Sequence, residues 1–100
     1  MNDPQANRIV EAVKDFGDVP AAYATLMDLG TVFMRNNLQV VNGLNASVSL
    51  KFASGETGEN IVTIQAGATR DFKQLKMYGI IQYQYESGAP GSGTLTTSAW

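Results

Sequence analysis

The chain has 100 residues, a formal net charge of −2 and 16% charged side chains, the size of one domain with its own hydrophobic core. It contains no cysteine and no histidine, which excludes disulfides, thiolate chemistry, sulfur-ligated zinc and iron–sulfur sites and removes the usual general base and metal ligand near neutral pH. Its seven basic residues are spread out, with a loose group at Arg70, Lys73 and Lys76, and nucleic-acid binders instead concentrate positive charge on one face.

Residues 3–16 are expected to form a helix. Asp3 is a good N-cap, and Pro4 suits the first helical position, where its missing N–H costs nothing. Ile9, Val10, Val13 and Phe16 then fall on one apolar stripe, and Gly17 can end the turn. This predicts an N-terminal helix or arm over residues 1–20 ahead of a β-sandwich domain over residues 21–100. The stripe either caps its own sandwich or lies on a neighbouring subunit. The segment has acids early and no h-region, so it does not read as a signal peptide. With Met at position 1, the expectation is a chain made and kept inside the cell that synthesises it. No apolar run approaches the ~20 residues of a membrane-spanning helix, and no membrane partner is expected.

Asp18-Val19-Pro20 punctuates the chain. In AAYATLMDLG, Ala, Leu and Met favour a helix while Tyr23, Thr25 and Met27 alternate as in a strand, and the β character of everything after it favours the strand. From Thr31 the period is two. TVFMRNNL is a candidate strand, and Asn42-Gly43 supplies a turn. ASVSLKFA places Val48, Leu50 and Phe52 inward with Ser47, Ser49 and Lys51 outward. IVTIQ and AGATRDFKQ follow a polar connection, and MYGIIQYQYE has Ile81, Tyr83 and Tyr85 on one face. TLTTSAW closes the chain with Leu95, Thr97 and Ala99 on one side and Trp100 on the other. Six or seven short strands with turn signals between them predict a mainly β protein, an antiparallel β-sandwich of jelly-roll or Ig-like type with a short N-terminal helix. The expected core includes Val32, Met34, Val48, Leu50, Phe52, Ile64, Ile81 and Leu95.

The chemical motifs reduce to ordinary turns and strands. GAPGSGT lacks the lysine and the following helix of a phosphate loop. Glu56 and Glu59 in GETGEN are too few oxygens for a Ca²⁺ site, and a loop does not hold a carboxylate pair at the fixed separation glycoside hydrolysis needs. Asn45-Ala46-Ser47 matches the glycosylation pattern, which carries meaning only with a secretion signal. Tyr23, Tyr78, Tyr83 and Tyr85 form a sugar-stacking platform only if the Ile81 face is not core. No catalytic, cofactor-binding or metal-binding residue is nominated, and the chain is not expected to be an enzyme.

Taken together, GTVFMRNNLQ, ASVSLKF, IVTIQAGATRDFKQL, MYGIIQYQY and SGAPGSGTLTTSAW resemble small β-sandwich virion proteins of tailed bacteriophages and their prophage relatives. The shared features are an Asn pair ending a strand, here Asn36-Asn37, an I-x-A-G-A-T turn from Ile64 to Thr69, and the turn and final strand from Ser87 to Trp100. The match covers about residues 30–100 and departs in an extra glycine in SGAPGSG. The resemblance implies a virion structural protein, a capsid decoration or a head–tail (neck) component. Its partners would be capsid, portal, neck or tail proteins and further copies of itself. The alternative from another class is a carbohydrate-binding module or receptor-binding tip. The interface candidates are Ile9, Val10, Val13, Phe16 and Trp100, the indole meeting either a neighbouring subunit or the rim of its own sandwich.

Overall fold

The computed structural model describes residues 9–30, 35–52 and 61–100, and of residues 74–76 the backbone alone. The alternating segments pair as strands β1 (Val10–Asp15), β2 (Ala24–Asp28), β3 (Arg35–Asn42), β4 (Val48–Phe52), β5 (Ile61–Ile64), β6 (Thr69–Met77), β7 (Ile80–Tyr85) and β8 (Thr94–Ala99), with a 3-10 turn at Phe16–Asp18. They make two four-stranded sheets, ordered β1-β8-β3-β6 and β2-β7-β4-β5. Every pairing is antiparallel. Four of the pairings, β1 with β8, β2 with β7, β3 with β6 and β4 with β5, are those of one long hairpin ribbon from its open end to its tip. The other two, β3 with β8 and β4 with β7, form where the ribbon rolls over itself. The result is a jelly roll, which selects between the two sandwich types the sequence allowed.

The core lies between the sheets. Leu38, Val40, Leu95 and Ala99 come from the first sheet, and Val48, Leu50, Phe52, Ile64, Ile81 and Tyr83 from the second. Phe52 and Phe72 join the sheets edge to face, with centroids 5.9 Å apart and planes at 69°, a geometry aromatic rings favour. Of the expected core, Val48, Leu50, Phe52, Ile64, Ile81 and Leu95 are buried. Val32 and Met34 lie outside the described residues, as do Glu56 and Glu59.

The expected N-terminal helix is not supported. Residues 1–8 lie outside the described part, and Val10–Asp15 form an edge strand that pairs along the whole of β8, from Val10 opposite Ala99 to Asp15 opposite Thr94. Alternation therefore splits the proposed stripe. Val10 turns toward the core and is half-buried, whereas Val13 is exposed. The backbone bonds that β8 offers outweigh a helix preference worth only fractions of a kcal/mol per residue. Because β1 is part of the first sheet, the chain belongs to the sandwich from Val10 onward.

The ambiguous segment before Thr31 is β2, as favoured, but with a register shift between Thr25 and Met27. That bulge lets the consecutive Leu26 and Met27 both be buried. Ser49, expected to face outward, is 2% exposed. It lies beneath Glu86, whose carboxylate accepts bonds from Ser49 Oγ and, at 2.8 Å, from Thr63 Oγ1.

These two hydroxyls, Ser49 first and Thr63 second, hold the Glu86 carboxyl below its ordinary value of about 4.5. A carboxylate lowered by folding adds stability at pH values above its unfolded pKa, and that contribution disappears as the pH falls through the folded pKa. The melting temperature should therefore decline on acidification through this range. Glu86→Gln should remove that part of the decline, so that variant and parent converge at low pH. Parallel curves for the two proteins would contradict the assignment.

Candidate functional site

Alternation along four strands composes the outer face of the first sheet. One row across it is Glu11, Ser98, Gln39 and Asp71, and the next is Val13, Thr96, Val41 and Thr69. Trp100 extends β8 by one residue. Its N–H donates to the Asn37 carbonyl at 3.0 Å, and its carbonyl accepts from the N–H groups of Asn36 and Asn37 at 3.0 and 2.9 Å. The Asn pair of the sequence thus clamps the last backbone unit in place. Burial of Leu95, Thr97 and Ala99 on the inner face sends the indole outward, as the sequence alternation required.

Trp100 is 44% exposed and Val13 61%, and Ile9 and Val41 also stand exposed. An open depression of about 290 Å³ is lined by Ile9, Glu11, Gln39, Ser98 and Trp100. Two of the five nominated interface residues, Ile9 and Trp100, come together there. Val13 lies on the same face, two residues along β1 from Glu11. Val10 does not belong to the face, since it points inward beside Ala99. Phe16 is exposed in the 3-10 turn, where its N–H donates to Gly93 O at 3.1 Å.

Sequence reasoning missed Glu11, Gln39 and Ser98. They come from β1, β3 and β8, and only the sheet order brings them side by side. The pairing of 11 with 98 and 98 with 39 has no local signature.

The tyrosines do not assemble into a platform. Tyr83 is buried, and its hydroxyl donates to Asp18 O at 3.0 Å. Burial first, and the Asp18 charge second, push its pKa up. Tyr85 is half-buried against the core. Tyr23 lies under the Lys51 ammonium, 5.5 Å from its ring centroid, and Tyr78 is exposed beyond the end of β6.

Among the described residues, no three acidic side chains gather as a metal ion requires. The opposite sheet shows water a mainly polar surface of Thr25, Lys51, Thr63, Gln82, Gln84 and Glu86, with Ile61 and Ile80 as its exposed aliphatic residues. The first sheet's outer face, with an exposed indole among aliphatic side chains, is the better surface for association. No protein-family model matches this chain, and none of the curated proteins compared with it is significantly similar.

Proposed function

We propose that this chain is a structural protein of a tailed-bacteriophage virion. It acts through protein–protein contacts as a capsid decoration or head–tail (neck) component, and the outer face of the β1-β8-β3-β6 sheet is its contact surface. The observation that carries the contact reading is the exposure of Trp100, Ile9, Val13 and Val41 together on one sheet face. Large aromatic side chains left in water are enriched among the residues that dominate binding energy. The jelly roll is compatible with this role but does not select it, because capsid, lectin and cupin domains share the architecture. The virion assignment therefore leans on the resemblance of residues 30–100, and the contact surface on the face itself.

Trp100→Ala is the substitution that tests the surface. It keeps the three backbone bonds with Asn36 and Asn37, which deletion of the residue would remove, and takes away only a half-exposed side chain. The isolated domain should melt within a few degrees of the parent protein, while the amount of chain found by mass spectrometry in purified phage particles should fall severalfold. A large fall in melting temperature with normal incorporation would show that the indole closes its own domain. A glycan array with the purified parent protein should give no hit. A specific sugar bound at this face, with no chain in the particles, would replace the proposal by the carbohydrate-binding one.

A further inference from the structure

The depression beside Trp100 has a definite chemical character. The indole and Ile9 make its apolar walls, Gln39 and Ser98 contribute neutral polar groups, and Glu11 supplies the one charged side chain among the described residues that line it. Glu11 is exposed and has no ion-pair partner among the described residues. The surrounding face has the same sign, with Asp71 in the Glu11 row and Asp15 at the end of β1. Among the described side chains Lys73 is the basic residue on this face, and in the register Asn37 separates it from Trp100. At about 290 Å³ the depression falls at the lower end of small-molecule pockets and suits one long side chain.

An indole face attracts a cation through its quadrupole when the charge sits within about 6 Å of the ring centroid. A carboxylate beside it adds a charge-assisted hydrogen bond to the same group. Arginine meets both demands better than lysine does, because its guanidinium is planar, weakly hydrated and able to stack. A neutral sugar could donate its hydroxyls to the carboxylate, but it brings no positive charge to pair with Glu11 or with the acidic residues around it.

We infer that this depression receives an arginine side chain from a basic segment of a neighbouring protein, its guanidinium stacked on the Trp100 indole and paired with the Glu11 carboxylate. The inference rests on the outer face being the contact surface proposed above, and it names the chemistry of what lies against it.

Trp100 is the chain's sole tryptophan, so its fluorescence reports directly on the site. The probes are a capped pentapeptide carrying two arginines and the same peptide with citrulline, which keeps the shape and loses the charge. The arginine peptide should change the emission saturably and bind roughly tenfold more tightly than the citrulline peptide. Added salt should weaken it. Glu11→Gln, which removes an exposed group that bonds to nothing among the described residues, should leave the fold intact and weaken arginine-peptide binding to about the citrulline level.

Equal binding of the two peptides, undiminished binding to Glu11→Gln, or no saturable change would overturn the inference. Particle composition separates this from the broader reading. If the chain is in the virion and Glu11→Gln is incorporated like the parent, the arginine contact falls and the structural role stands. If the peptide results hold but the chain is absent from particles, the virion role falls and the arginine site stands.

Discussion

Replacing Asn42 by leucine should destabilise the domain by about 3–6 kcal/mol, because buried groups left without partners cost ~1–3 kcal/mol each. The two side chains are similar in size, so the loss is one of hydrogen bonds. Asn42 is fully buried at the end of β3. Its Nδ2 donates to the carbonyls of Ala46 and Ile64 at 3.0 Å and of Gln65 at 3.1 Å, and its Oδ1 accepts from the Leu44 N–H at 3.0 Å. One amide thereby ties the end of β3 to the connection before β4 and to the end of β5. Its backbone extends the knot, the N–H donating to Ala68 O and the carbonyl accepting from Gly67 N–H. The melting temperature should fall by at least roughly 12 °C, taking ~4 °C per kcal/mol for a domain of this size.

Asn42→Asp should be as damaging at neutral pH, since a carboxylate cannot donate to carbonyls that crowd around it. Those carbonyls and the burial would raise its pKa. A carboxyl raised by folding loses stability as the pH rises past its unfolded value, so this variant should recover in part on acidification. Thermal or urea unfolding of both variants checks the account. A loss under ~1 kcal/mol for the leucine variant would contradict it.

Gly93→Ala should cost about 3–5 kcal/mol, combining a disfavoured backbone conformation with a collision against main chain. Gly93 has φ 94°, and an added Cβ would lie 2.0 Å from Gly43 O and 2.8 Å from Gly43 C. Neither atom is the end of a flexible side chain, so two connections would have to separate. They are fastened together there: Gly43 N–H donates to Thr94 O at 2.8 Å, and Gly91 N–H donates to Asn45 Oδ1, also at 2.8 Å. Gly88→Ala is the control. It has ordinary φ and open space at the Cβ position, and should change stability by no more than ~0.5 kcal/mol. Equal effects at the two positions would show that the close approach does not constrain the turn. Gly91, two residues earlier in the same turn, has no positive φ.

The contrast between these positions shows what a linear sequence can disclose. Alternation from Val48 to Phe52, Ile81 to Tyr85 and Leu95 to Ala99 marks inner faces correctly because each strand carries large apolar residues at every second place. It fails at β1, an edge strand whose inner positions Val10, Ala12 and Lys14 are only half-buried. There the apolar signal is weak, and helix-favouring Glu, Ala and Lys dominate. Asn42 reads as a turn residue because Asn-Gly is strong turn chemistry. Counting Leu38, Val40, Asn42 along β3 would have placed it inside, but not the carbonyls that converge on it from Ala46, Ile64 and Gln65. Trp100's outward direction was readable from its own strand. The companions that turn an exposed indole into a site were not, because Ile9, Glu11 and Gln39 reach it only through the order in which the ribbon folds.

That order leaves the protein with one outer face rich in polar groups and another where Trp100, Ile9, Val13 and Val41 meet water. Covering such surface stabilises an assembly by about 25 cal/mol for each Å² of apolar area buried, and in a particle built of many copies that gain recurs at every contact. The most direct measurement is a cryo-electron microscopy map of the intact phage particle at side-chain resolution. The account predicts symmetry-related copies of the sandwich with the β1-β8-β3-β6 face against a neighbouring protein and the Trp100 indole enclosed. A particle without the sandwich, or one that holds it with this face turned to solvent, would contradict it.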